Sequence, residues 1–354
     1  IPQLVVGLTI VAMGTSLSET AVSISASIAG SNSLAISNVS GSNLFNLLVV
    51  VGLCCIMQKV EGDMDTIKRD IPYSLLAAVL LIALGMLGGM ELGRLDGVIL
   101  LAFFAFFLYL MMKSALKAAA KVEEVEEVSQ SFLMSVVCIV GGAAAIALGG
   151  DWAVDAASTI ALKLGMTETM IGLTIVAVGT SLPELATGIV AVSKGRTQLA
   201  MGNVLGSNIF NILMILGITT LISPITMSKE NRVKDIPMNI IVTGALILLW
   251  VLHSILGIGD NEISRLEGLL MLAACAAYIW MMLRSGSGST EEVSEEPVKT
   301  YSTWKSMLMI AVGLGCLVIG GRFFVNSATY IAQALNLSEK FIAITIMAAG
   351  TSLP

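Results

Sequence analysis

Charge is scarce in this chain. Asp, Glu, Lys and Arg together make up 12% of its 354 residues, where a soluble domain carries roughly 25%. Histidine occurs once, at His253. That excludes a histidine-built metal cluster, and His253, near a helix end, reads as structural. The five cysteines (Cys54, Cys55, Cys138, Cys275 and Cys316) all lie in apolar segments without metal-ligand spacing. They read as small core-packing residues, and no disulfide framework is implied. No glycine-rich nucleotide loop is present, so ATP-driven pumping has no support, and no nucleophile–base pair suggests an enzyme. The net charge of −6 comes largely from two acidic linkers and carries no sign of a nucleic-acid partner.

What the chain has in quantity is hydrocarbon: 56% of its residues are hydrophobic. Apolar runs of about 20 residues are long enough to cross a bilayer as helices. Eleven are counted, near 4–27, 34–57, 71–90, 95–112, 131–150, 168–192, 199–222, 236–257, 266–283, 305–325 and 340–354. The fold class expected is an all-α polytopic membrane protein. Both ends read as truncated: residue 1 sits just before an apolar segment and Pro354 falls inside a motif.

That motif organises the chain. Gly172 to Glu184 reads Gly-Leu-Thr-Ile-Val-Ala-Val-Gly-Thr-Ser-Leu-Pro-Glu, and Gly7 to Glu19 matches it at 11 of 13 positions. A weaker third version runs from Ala343 to Pro354. A second motif follows the first two copies, Gly41-Ser42-Asn43-Leu44-Phe45-Asn46 and Gly206-Ser207-Asn208-Ile209-Phe210-Asn211. Glu19 to Asn46 and Glu184 to Asn211 are both 27 residues apart.

Further echoes set the length of the repeat. Lys68-Arg69-Asp70-Ile71-Pro72 returns as Val233-Lys234-Asp235-Ile236-Pro237, and Arg94-Leu95-Asp96-Gly97 as Arg265-Leu266-Glu267-Gly268. A complete unit is five helices. Residues 1–117 form a first unit without its opening helix, 131–284 a complete second unit, and 305–354 the start of a third. Acidic linkers, 118–130 and 285–304, read as solvated tethers between them. Five is odd, so successive units enter the membrane from opposite sides, the inverted repeat of many secondary transporters with its site at mid-membrane. Loops on one side carry 11 Lys and Arg and loops on the other carry 8. The richer side holds the 113–130 loop and is placed in the cytoplasm.

Glu19 and Glu184 sit near the middle of their spans, where a carboxylate needs a partner or a wet cavity. Two facing carboxylates would neutralise one divalent cation. Calcium takes six to eight oxygens, and Thr15, Ser16, Thr180, Ser181, Ser42, Ser207, Asn46 and Asn211 offer neutral ones. Pro183 cannot donate to the carbonyl of Gly179, so the second motif helix should break and free carbonyls from Ala177 to Thr180. Ser18 replaces that proline in the first copy, which predicts a straighter, less open half-site. Close packing explains part of Gly41, Gly206, Ala12 and Ala177, but packing requires no glutamate. Asn43 and Asn208 fit ligation and interhelical hydrogen bonding about equally, and Asn38 and Asn203 favour structure.

The two motifs, in two copies each, resemble the alpha-repeats of the calcium/cation antiporter superfamily, most closely its prokaryotic sodium/calcium exchangers. The resemblance implies ten helices in two inverted five-helix halves around four central ion sites. It implies a multi-pass protein of the cell membrane that takes Ca2+ and Na+ as substrates and needs no cofactor. Carried to matching positions, Glu19 and Glu184 are shared ligands of calcium and sodium. Thr15 and Thr180 give carbonyls to calcium, joined by Ser16 and Ser181 at flanking sodium sites. Ala12 and Ala177 give carbonyls there too, Ser42 and Ser207 lie near the same outer sites, and Asn46 and Asn211 stand beside the central one. Some relatives carry an aspartate at the place of Asn211, and potassium-dependent exchangers use an acid there, so Asn211 argues against potassium dependence. The third unit departs from a ten-helix exchanger. It begins a second exchanger in tandem, or its opener fills the first unit's gap. Calcium/proton exchange through the same glutamates, and ion binding without transport, stay open alternatives.

Overall fold

The computed structural model describes residues 12–28, 32–61, 66–119, 132–165, 177–229, 231–256, 262–284 and 300–334. The first unit begins with two helices in line, α1 (Ala12–Thr15) and α2 (Leu17–Ile28). Helix α3 (Asn32–Phe45) passes through a wide π turn, Asn46–Val50, into α4 (Val51–Met57). A second π turn, Thr66–Asp70, leads into α5 (Ile71–Leu87), and α6 (Arg94–Ala119) closes the unit.

The second unit opens with α7 (Phe132–Lys163), which has no first-unit counterpart earlier in the described chain, and then repeats the same layout. Helices α8 (Ala177–Gly179) and α9 (Leu182–Ser193) are in line. Helix α10 (Thr197–Phe210) passes through the π turn Asn211–Ile215 into α11 (Leu216–Ile222). The π turn Asn231–Asp235 leads into α12 (Ile236–Leu256), and α13 (Arg265–Arg284) follows. Last comes α14 (Thr303–Ala334).

Eight of the eleven predicted spans overlap these helices along most of their length, and two more, 4–27 and 168–192, do so over the residues described, 12–27 and 177–192. The eleventh, 340–354, lies outside the described residues with the third motif, as do residues 7–11 and the side chain of His253. Seven helical segments are long and apolar enough to cross a membrane among the described residues. Three helices run past their expected ends, α6 to Ala119, α14 to Ala334 and, by the most, α7 to Lys163. Asp151 and Asp155 do not follow the fifth span but continue it, because α7 runs on to Lys163. At 1.5 Å per residue its 32 residues span about 48 Å, more than a bilayer core. The Thr159 hydroxyl, donating to the Asp155 carbonyl at 2.9 Å, is satisfied within that polar end.

The repeated short motifs now have physical meanings. In Arg-Leu-Asp/Glu-Gly the acid caps its helix by reaching back: the Gly93 amide donates to Asp96 Oδ2 at 2.8 Å, and the Ser264 amide to Glu267 Oε2 at 2.6 Å. The glycine is a point of close approach. A Cβ on Gly97 would lie 2.8 Å from the Gly217 carbonyl oxygen, and one on Gly268 2.6 Å from that of Gly52. Thus α6 of one unit lies on α11 of the other, and α13 on α4, in mirrored fashion.

Two small antiparallel ladders obey the same symmetry. Strand β1 (Val60–Glu61) pairs with β4 (Glu262–Ile263), and β2 (Glu91–Leu92) with β3 (Ile225–Thr226). Each ladder joins the two units, and following the chain places them on opposite membrane faces.

Helix α14 packs antiparallel along α7. A Cβ on Gly142 would meet the Gly320 carbonyl at 2.8 Å, and one on Gly149 that of Gly313 at 2.6 Å. Lys163 Nζ donates to the Tyr301 carbonyl at 2.6 Å, tying the end of α7 to the start of α14. At the other end of α14, Lys194 bonds Asn326. Within the two segments that carry the second motif, Ala35–Met57 and Thr197–Ile222, an apolar 18-residue stretch is 72% and 78% buried; the matching stretches of the other five spans are 28–50% buried. The Gly-Ser-Asn helices therefore form the centre of the bundle, and the remaining helices present apolar faces outward.

Candidate cation site

Each Gly-Thr-Ser helix is interrupted where the motif turns polar. In the first copy only Ser16 leaves the helix, and its amide still bonds the Ala12 carbonyl at 3.1 Å. In the second copy both Thr180 and Ser181 leave it. There the Ser181 amide reaches the Val178 carbonyl at 3.2 Å, one residue short of the helical register. Pro183, in the first turn of α9, accounts for the wider break because it has no N–H to give to Gly179. Glu19 and Glu184 then sit in the first turns of α2 and α9, where the helix dipole favours an anion. Both are fully buried.

Each carboxylate gathers hydroxyls from both halves. Glu184 Oε1 accepts from Ser207 of its own half at 3.2 Å and from Ser16 of the other at 2.9 Å. Glu19 Oε1 accepts from Ser42 of its own half at 3.1 Å and from Ser181 of the other at 3.4 Å. Ser181 Oγ also lies 3.0 Å from Ser42 Oγ. The Thr15 hydroxyl bonds Asn203 Oδ1 at 3.1 Å and lies 3.4 Å from Ser207 Oγ, and Ser207 donates to the Ala12 carbonyl at 3.2 Å.

Four asparagines bridge the two Gly-Ser-Asn helices. Asn43 Nδ2 donates to the Asn208 carbonyl at 3.2 Å, and Asn208 Nδ2 to the Asn43 carbonyl at 3.3 Å. Asn46 Nδ2 donates to Asn208 Oδ1 at 3.2 Å, and Asn211 Nδ2 to Asn43 Oδ1 at 3.0 Å. Asn211 Nδ2 also reaches Ser42 Oγ at 3.3 Å. Three buried oxygens of this cluster have no hydrogen-bond partner: Glu184 Oε2, Asn46 Oδ1 and Asn211 Oδ1.

Of the residues singled out from the sequence, Glu184, Ser16, Ser207 and Thr15 thus form one hydrogen-bonded group, and Glu19, Ser42, Ser181, Asn46 and Asn211 a second, each drawing on both halves. Ala12 joins the first through its carbonyl. Thr180 is buried in the second break, and Ala177 begins α8 just ahead of it. Asn38 and Asn203, read as structural, hold the motif helices from behind. Asn38 donates to the Glu19 carbonyl at 3.4 Å and Asn203 to that of Glu184 at 3.5 Å. The crossing of Ser16 and Ser181 to the opposite carboxylate was not foreseen, nor were the π turns that begin at Asn46 and Asn211. The 165-residue offset between paired residues was the signal that could have suggested the crossing.

The donor chemistry suits a hard cation. The two groups together bury two carboxylates, four serine hydroxyls and two partnerless amide oxygens, enough in number for the six to eight oxygens calcium takes. Among the described residues no group of three His, Cys, Asp or Glu is found. The site is therefore rich in neutral oxygens and modest in charge, which suits a cation that must also leave. Hydroxyls that now donate to the carboxylates can rotate to offer lone pairs instead.

Comparison with known proteins agrees with this chemistry. A family model described as "Sodium/calcium exchanger protein" matches residues 1–113, 134–284 and 305–354. The putative antiporter CaxA of Alkalimonas amylolytica is 35% identical over 291 residues, covering 80% of this chain and 89% of that protein. Sodium/calcium exchanger MaX1 of Methanosarcina acetivorans is 30% identical over 316 residues, covering 79% and 88%. A structure of the sodium-calcium exchanger NCX_Mj, soaked with 100 mM Na+ and 10 mM Sr2+, superposes with a TM-score of 0.65. It is 28% identical and covers 80% of this chain and 87% of its own.

Proposed function

We propose, for a chain that belongs to the sodium/calcium exchanger protein family, that it exchanges calcium for sodium by alternately opening one central site to either side of the cell membrane. The observation that carries this reading is the trio of buried, partnerless oxygens, Glu184 Oε2, Asn46 Oδ1 and Asn211 Oδ1, within a cluster built from two inverted halves. Leaving buried acceptors unsatisfied costs about 1–3 kcal/mol each. A cation bound among them removes that cost.

Exchange follows from charge. Glu19 and Glu184 together supply two negative charges, balanced by one Ca2+ or by two Na+. The two ions then compete for the same carboxylates, and their exclusion couples their fluxes. Ser16 and Ser181 each serve the opposite half's carboxylate, so occupancy of the site draws both motif helices together. Thr15, Thr180, Ala12 and Ala177 would supply carbonyls at the breaks. Helix α14 acts as the opening helix of the first unit, since it lies on α7 through glycine pairs that the repeat symmetry maps onto one another.

The test is calcium-45 uptake into vesicles carrying the full chain, driven by an outward sodium gradient. Collapse of uptake on replacing sodium with choline supports the reading. Full gradient-driven uptake by Glu19→Gln or Glu184→Gln would overturn it. A proton-coupled second reading is favoured by Glu184 Oε2, which has no donor and can carry a proton. Uptake that ignores sodium but follows an imposed pH gradient would select it.

A further inference from the structure

Asn43 and Asn208 spend their hydrogen bonds on each other's carbonyls and on Asn211 and Asn46, and both are buried at the crossing of α3 and α10. We propose that they are positioning residues: each one, from the opposite half, fixes which end of a site amide faces the ion. Asn43 orients Asn211, and Asn208 orients Asn46. The inference rests on the cation-exchange reading above.

The argument is a chain of forced choices. The two ends of an asparagine amide are nearly equal in size but opposite in role, NH2 donating and oxygen accepting. A backbone carbonyl only accepts. The Asn43 atom 3.2 Å from the Asn208 carbonyl is therefore its NH2 group, so its other end is oxygen. That oxygen only accepts, so the Asn211 atom 3.0 Å away is again NH2. Asn211 Oδ1 is left facing the other way, buried and without a partner. The mirror chain runs from the Asn43 carbonyl through Asn208 to Asn46 Nδ2, and leaves Asn46 Oδ1 in the same condition.

Reversing Asn211 would set two oxygens 3.0 Å apart and aim an NH2 group at a cation. Two backbone carbonyls, which cannot change sides, therefore decide the polarity of both site amides. Each decision crosses from one repeat to the other. Neither half can orient its own asparagine, so the neutral oxygens face the ion only when the halves are assembled around each other.

A double-mutant cycle tests this, read as calcium affinity by equilibrium binding to the purified full chain in nanodiscs. The proteins are wild type, Asn43→Leu, Asn211→Asp and the double variant. An aspartate presents an oxygen whichever way it turns, and with Asn43 in place one of its oxygens faces Asn43 Oδ1. Asn43→Leu alone should weaken calcium binding about 10-fold or more. Asn211→Asp should be more favourable by about 10-fold in the Asn43→Leu background than beside Asn43. The mirror cycle with Asn208→Leu and Asn46→Asp should show the same sign.

Additive effects in both cycles, or unchanged affinity in Asn43→Leu, would overturn the proposal. So would failure of both leucine variants to accumulate in the membrane, which would make these asparagines supports of the fold. Binding by the wild type without sodium- or proton-driven flux would overturn the exchange reading alone, and the cycle would still judge the orientation.

Discussion

Helix α14 carries two glycines two residues apart that should respond oppositely to the same substitution. A Cβ on Gly313 would lie 2.5 Å from the Gly149 carbonyl oxygen and 3.1 Å from the Ala153 amide nitrogen, whereas one on Gly315 meets nothing within 4 Å. Alanine is favoured over glycine in a helix by about 0.8–1.0 kcal/mol. At Gly315 that gain stands alone, so Gly315→Ala should stabilise by about 1 kcal/mol. At Gly313 the neighbouring atom is backbone and has no rotamer to yield. Moving it from 2.5 Å to an ordinary 3.4 Å contact opens the α7–α14 seam by about 0.9 Å. Overpacking of that kind costs about 1–3 kcal/mol, so Gly313→Ala should end about 1 kcal/mol below wild type and about 2 kcal/mol below Gly315→Ala. Helix α7 supplies a second matched pair. A Cβ on Gly142 would be 2.8 Å from the Gly320 carbonyl, while one on Gly141 touches nothing within 4 Å. Thermal melting of the four variants in one detergent reads the order directly. Equal melting temperatures within each pair, or a Gly313→Ala protein more stable than wild type, would refute the placement of α14 on α7.

Other outcomes follow from the site and its rim. Ser16→Ala removes a 2.9 Å bond to Glu184, and Ser181→Ala a 3.4 Å bond to Glu19. On the exchange reading each hydroxyl turns to the cation, so its loss removes an oxygen held by a charged group, worth about 1.5–3 kcal/mol, and either variant should raise the calcium KM about 10-fold or more. Calcium uptake should be indifferent to potassium, because Asn211 adds no third carboxylate; a potassium requirement in the vesicle assay would contradict that. At the α9–α10 turn, burial, then Arg196, then Arg322 hold the Lys194 ammonium below its ordinary 10.5. Below that value the unfolded chain binds more protons, so stability rises with pH up to 10.5 and the gain is complete above it. Melting curves should show this rise in wild type and a smaller one in Arg322→Gln.

Much of this molecule was legible because duplication left two copies to compare. The 27-residue spacing from Glu to Asn, present twice, pointed to one site made of two halves, and Pro183 against Ser18 foretold which motif helix breaks more widely. Orientation was not legible. Whether Asn43 ligates or bonds depends on which carbonyl passes about 3 Å away, and that is set by the crossing of α3 with α10, not by spacing along either. The length of α7 was also hidden, because polar residues such as Asp151 and Asp155 end a hydropathy run without ending a helix. Of the two roles left open for the third unit's opener, the glycine pairs favour docking on α7, a choice that needs both helices in view.

The two ladders, β1–β4 and β2–β3, constrain how any transport cycle can move. Each stitches a loop of one repeat to a loop of the other, and they sit at opposite faces of the bilayer. A rocking machine must let its two halves part at one face while they close at the other. Here a main-chain seam would tear at whichever face tried to part. On the proposed exchange reading the repeats would then act as a riveted frame, and larger movement would fall to a body outside the rivets. Helices α7 and α14 fit that description best, being joined to each other at close glycine contacts and carrying neither ladder, though α14 also leans on α9. The ion site would stay still in the frame while a two-helix shuttle slides past it.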